Sequence, residues 1–61
     1  MAAKFLVYKD KSGEFRWKLV HTNGQVIADS GEGYKAKAGA TNGIKSVLDN
    51  APGAPIEDQT V

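Results

Sequence analysis

Apolar and polar residues alternate along the first half of the chain, and the period changes in the second half. The run KFLVYKD, residues 4–10, is rich in aromatic and branched side chains and predicts a first strand. Phe5, Val7 and Lys9 fall on one face of it, and Lys4, Leu6 and Tyr8 on the other. A second strand is predicted over residues 15–22, with Phe15, Trp17, Leu19 and His21 on one face and Arg16, Lys18, Val20 and Thr22 on the other. Between the two, DKSGE supplies side chains that bond nearby backbone and a glycine for positive φ. A third strand follows over residues 25–30. Asn23-Gly24 ahead of it predicts a two-residue type I′ hairpin turn, in which both central residues need positive φ.

From Tyr34 to Asn50 the apolar spacing lengthens to that of a helix. Ala36, Ala40, Ile44, Val47 and Ala51 share a narrow arc with Leu48 at its edge, so a helix over residues 34–50 is placed to cover the meander. Ser30 or Gly33 is the expected cap, with Glu32 near the positive end of the helix dipole. Pro52, Gly53 and Pro55 stop the helix. Gly39 and Gly43 disturb this pattern, because each costs about 1 kcal/mol relative to Ala in a helix interior. Their spacing stacks them on one side. Either they allow close approach to another backbone, a strand or a second chain, or the helix is frayed until about Thr41. The tail over residues 55–60, with Ile56 and Thr60, has a β-compatible composition and is read as a short C-terminal strand.

Composition sets bounds on this single 61-residue domain. Its charged fraction of 25% and hydrophobic fraction of 41% are those of an ordinary globular chain. No apolar run is long enough to span a bilayer, and the N-terminal residues lack a signal-peptide pattern, so the expectation is a cytoplasmic protein with no membrane partner. Without cysteine there is no disulfide or thiolate site, and one histidine argues against zinc. Apolar burial contributes roughly 80 kcal/mol, and ordering some 55 residues costs about the same. A chain so balanced is expected to gain its margin by forming a homodimer. The net charge of +1 divides into +4 over residues 1–45 and −3 over residues 46–61, which is either complementarity between an acidic tail and the basic part of its own or a partner chain, or a solvated surface with an acidic end.

No catalytic spacing is present. His21 falls on the face of Trp17 and Leu19, and the serines lack a nucleophile-elbow context. SGEGYKAKAG matches neither phosphate-loop pattern, and capping and turn chemistry account for its first glycines. The chain is therefore read as a non-enzyme with no catalytic, cofactor or metal residues. A candidate recognition face carries Lys4, Tyr8, Arg16 and Lys18, which makes a weak nucleic-acid-binding module the alternative.

The order of four blocks adds a resemblance. The strand at Phe5, GEFRWKL at residues 13–19, NGQVIADSGEGY at residues 23–34 and NGIKSV at residues 42–47 resemble the small bacterial YegP-like family, whose molecular function is not established. The resemblance implies an α+β fold with a β-β-β-α unit and C-terminal strand, present in one copy or two. It further implies that two units share one sheet with their C-terminal strands exchanged, so that a single-copy chain is its own partner in a homodimer. Gly39, Gly43, Ile56 and Thr60 are then the residues expected at the dimer and tail contacts. An association with stress physiology is implied by the family alone.

Overall fold

The structure is a computed structural model and describes residues 2–60. Strands β1 (Ala3–Lys9), β2 (Phe15–His21) and β3 (Val26–Asp29) form an antiparallel sheet in the order β1-β2-β3, followed by helix α1 (Lys37–Asn50). This is the expected β-β-β-α unit. Phe5 faces Leu19 and Val7 faces Trp17 across the β1–β2 ladder, so these four residues lie on one side of the sheet. On that side Phe5 and Trp17 meet edge to face, with centroids 5.6 Å apart and planes at 75°.

The helix packs on β2 and, less closely, on β1, leaving β3 outside its cover. Ala40, on the helix itself, is fully buried and Trp17 is 6% exposed; among the described residues these two alone are buried. Ile44 and Val47 are half-buried, whereas Leu48, at the edge of the apolar arc, is 58% exposed. One short helix on three strands thus encloses a core one tryptophan deep.

Both hairpins use the same loop. Gly13 N–H donates to Asp10 O and Gly24 N–H donates to His21 O, while Asp10 and His21 donate onward to Glu14 O and Gln25 O. Gly13 and Gly24 have φ of 88° and 90°, and no non-glycine described residue has positive φ. Each connection is therefore a three-residue loop ending in a left-handed glycine, Lys11-Ser12-Gly13 in one and Thr22-Asn23-Gly24 in the other. The type I′ turn expected at Asn23-Gly24 is not formed, because Asn23 keeps an ordinary φ and Gly24 alone takes the left-handed position. The ladder shifts between Leu19 and Val20, where Ala28 and Val26 are the opposing residues and Ile27 is the bulged one.

The helix begins at Lys37 rather than Tyr34. Tyr34 is held in extended geometry by two bonds to Phe15, Phe15 N–H to Tyr34 O at 2.8 Å and Tyr34 N–H to Phe15 O at 2.7 Å. The capping residue is Ala36, with no side-chain cap, and no acidic residue occupies the first turn. Ser30 instead donates its hydroxyl to Glu32 O within the preceding loop. Residues 54–60 form no strand with the chain's own sheet, and Ile56 is 98% exposed. No helix among the described residues is long and apolar enough to cross a membrane.

Candidate interaction surface

Alternation along β1 and β2 carries Lys4, Leu6, Tyr8, Arg16, Lys18 and Val20 to the side of the sheet away from α1. Tyr8 pairs with Arg16, Leu6 with Lys18 and Lys4 with Val20, so all four residues of the expected recognition face come together. Two of the three cations are engaged within the chain. Lys18 Nζ lies 5.3 Å from the centre of the Tyr8 ring, a cation–π contact. Arg16 Nε donates to Asp10 Oδ2 at 2.6 Å.

Asp10 is the best-satisfied carboxylate of the first hairpin. Its Oδ1 also accepts from Ser12 N–H at 2.9 Å, the Ser12 hydroxyl at 2.6 Å and Glu14 N–H at 3.0 Å. These bonds, that of the Ser12 hydroxyl foremost and that of Arg16 next, hold its carboxyl well below the usual carboxylate range. Arg16 is correspondingly raised by Asp10. Arg16, one of the cations of the expected recognition face, is thus part of the turn.

The centre of this face is apolar. Leu6 and Val20 are half-buried, and beside them Val26 is 50% and Ile27 55% exposed on β3. Every residue of β3 is exposed, and its outer edge pairs with no strand among the described residues. An apolar edge strand with free backbone groups is a template for pairing with another chain.

Gly39 and Gly43 have a role within the chain. A Cβ at Gly39 would lie 3.1 Å from Tyr34 Cδ1, and one at Gly43 would lie 2.8 Å from the Tyr34 hydroxyl and 3.0 Å from Trp17 Nε1. In place of the expected second backbone, the neighbours of these glycines are aromatic side chains of the same chain. Burial chiefly, and then the neighbouring Glu32, raise the Tyr34 hydroxyl above its ordinary range. Trp17 Nε1 is buried with no hydrogen-bond partner. Tyr34 was hidden in the sequence by its position at the start of the helical pattern. Ile56 and Thr60 lie on the exposed tail, where Thr60 N–H donates to Asp58 Oδ1 at 2.9 Å.

The model of the "domain of unknown function (DUF1508)" matches residues 10–58. A UPF0339 protein of Treponema denticola is 55% identical over 92% of this chain and 95% of its own length. Another, from Agrobacterium fabrum, is 53% identical over 93% of this chain and 90% of its own. The UPF0339 protein in the ptx operon 5′ region of Stutzerimonas stutzeri is 54% identical over 85% of this chain, which spans 46% of that relative. The solution structure of a protein from Haloferax volcanii superposes with a TM-score of 0.87 at 50% identity, covering 92% of this chain and 93% of that one. Haloferax and Methanosarcina acetivorans, source of a 50% identical relative, are archaea, so the group extends beyond the bacteria to which the resemblance assigned it. The chain belongs to the DUF1508 family of UPF0339 proteins, the same family of unknown function as the YegP-like proteins.

Proposed function

We propose that the protein is a small non-enzymatic interaction module that works as a homodimer, with β3 and the C-terminal tail as its assembly elements. The observation that carries this reading is the surface the chain leaves open. It exposes 4896 Å² at 6.5 kDa, where a compact monomer of that mass exposes about 3,800 Å². The surplus of roughly 1,100 Å² matches the roughly 800 Å² per partner of a standard interface with some to spare. Its radius of gyration is 13.0 Å, against about 10.5 Å expected for this length.

The open surface has the chemistry of an interface. Val26, Ile27 and Ile56 are apolar and uncovered, the outer edge of β3 is unpaired among the described residues, and the tail bears Glu57 and Asp58 on a chain whose residues 1–45 are net basic. Residues 54–60 reach roughly 23 Å when extended, enough to cross a neighbouring sheet. An exchanged tail strand would add backbone bonds to an edge and bury Ile56 in one step. The relative of which this chain spans 46% has the length that two fused units would have. Mixing isotope-labelled and unlabelled chains tests the reading: cross-chain proximities between Ile56 and the partner sheet are expected, and proximities confined to one chain would refute the exchange.

A second reading is favoured by the shared face of Lys4, Tyr8 and Lys18, cations beside an aromatic ring able to stack on a base. Its measurement is fluorescence anisotropy with short single-stranded oligonucleotides at low salt. Salt-sensitive binding reduced by Lys18→Gln supports it, and no binding removes it.

A further inference from the structure

The two hairpins share one loop geometry but differ in the side chain that accepts the loop N–H, a carboxylate in the first and an imidazole in the second. In the first, Asp10 Oδ1 accepts the N–H of Ser12, two residues on, at 2.9 Å. In the second, His21 takes the place of Asp10, and its Nδ1 accepts the N–H of Asn23, again two residues on, at 3.1 Å. A backbone N–H can only donate, so Nδ1 must be the acceptor and the neutral ring carries its hydrogen on Nε2. The Thr22 hydroxyl stands 3.5 Å from the same nitrogen. Protonation places a hydrogen on Nδ1, so the Asn23 N–H loses its acceptor and faces a donor, while the bond from Gln25 N–H to Asn23 Oδ1 at 2.9 Å is untouched.

We propose that His21 is a pH-sensitive latch on the β2–β3 hairpin, closed when the ring is neutral and released when it is protonated, so that mild acid loosens the free edge strand β3. Histidine is the side chain that ordinarily changes charge between pH 5 and 8. Asp10 remains an ionised acceptor throughout that window, which makes the first hairpin a control within the same molecule. The charged group that shares a groove with His21 is Lys4, a cation that works against a second positive charge there, and no carboxylate pairs with the ring among the described residues. Across the sheet it faces Ala3, with Lys4 beside it on a shared groove together with Val20, Thr22 and Gly24. Gln25, across the loop, is uncharged, and His21 makes no ion pair among the described residues. Helix α1 covers β2, and its charged side chains Lys37, Lys45 and Asp49 are exposed. Because β3 is the edge assigned to assembly, the latch would regulate that same surface, and this consequence rests on the homodimer reading.

Native-state amide exchange on the full chain between pH 8 and pH 5, corrected for intrinsic exchange rates, tests the latch. Asn23 and the β3 amides are expected to lose protection about fivefold on acidification, the loss of roughly one hydrogen bond, while Ser12 and Glu14 stay unchanged. His21→Asn, which keeps an uncharged acceptor at the same place, is expected to abolish the response. An equal response of both hairpins, or a response that survives His21→Asn, overturns the latch. Sedimentation of the same samples reads the consequence separately: weaker self-association at pH 5 that His21→Asn removes supports regulation of assembly. A working latch with association unchanged by pH overturns the regulation alone, and a monomer at both pH values overturns the homodimer reading without touching the latch.

Discussion

Gly43 lies against Tyr34 so closely that a Cβ there would stand 2.8 Å from the tyrosine hydroxyl. The same Cβ would stand 3.0 Å from Trp17 Nε1, so the helix, the Tyr34 bridge and the central strand converge on one missing methyl group. Gly43→Ala gains about 1 kcal/mol of helix propensity but must move two packed rings, a strain of about 1 to 3 kcal/mol. The expected result is a net loss on the order of 1 kcal/mol. Gly39→Ala, whose nearest contact is 3.1 Å, is expected to change stability by less than about 0.5 kcal/mol. Adding Tyr34→Phe to Gly43→Ala should restore part of the loss, because it removes the nearer atom. Urea denaturation of the four chains checks this pattern.

Trp17 is the larger of the two buried residues, so its side chain dominates the core. Trp17→Ala is expected to cost about 3 to 5 kcal/mol. A chain of this length has a total stability of only about 3 to 9 kcal/mol, so the far-ultraviolet circular dichroism of the variant should show extensive unfolding at 25 °C. A loss below about 1 kcal/mol would place the indole at the surface.

The Asp10 network predicts the sign of one acid effect. Its carboxyl is held well below the ordinary value of about 3.9 when folded, so the native state prefers the ionised form. The stabilisation is present above pH 4 and is lost as pH falls below that value towards the folded one. Asp10→Asn should therefore melt below the parent at pH 7, and the gap should narrow by pH 2.5. A gap that stays constant would show that the charge of Asp10 contributes nothing.

The tail gives a prediction of its own. Truncation after Gly53 removes no strand pairing with the chain's own sheet among the described residues, and Ile56 is 98% exposed. On the homodimer account it should nonetheless lower the melting temperature and make folding depend more steeply on concentration. Unchanged melting would assign the tail no part in assembly.

The meander and its buried rib were legible because period-two alternation fixes which side of a strand faces the helix, as at Phe5, Trp17 and Leu19. Details decided by contacts distant in sequence were not. Tyr34 reads as the first helical residue until its two backbone bonds to Phe15 hold it extended, and those bonds have no local signature. Asn23-Gly24 suggested a two-residue turn, but the loop takes in Thr22 and uses Gly24 alone for positive φ. Arg16 reads as free until the turn folds Asp10 back onto it. Gly39 and Gly43 suggested the approach of another backbone, whereas their neighbours are the side chains of Tyr34 and Trp17.

Pairing with a second copy of itself is the step that we propose completes the fold of this chain. Sedimentation equilibrium of the full chain at micromolar concentration and neutral pH tests it most directly. The account predicts a mass twice 6.5 kDa, reduced towards a single chain on dilution and by truncation after Gly53. A folded species of 6.5 kDa across the whole concentration range would contradict it.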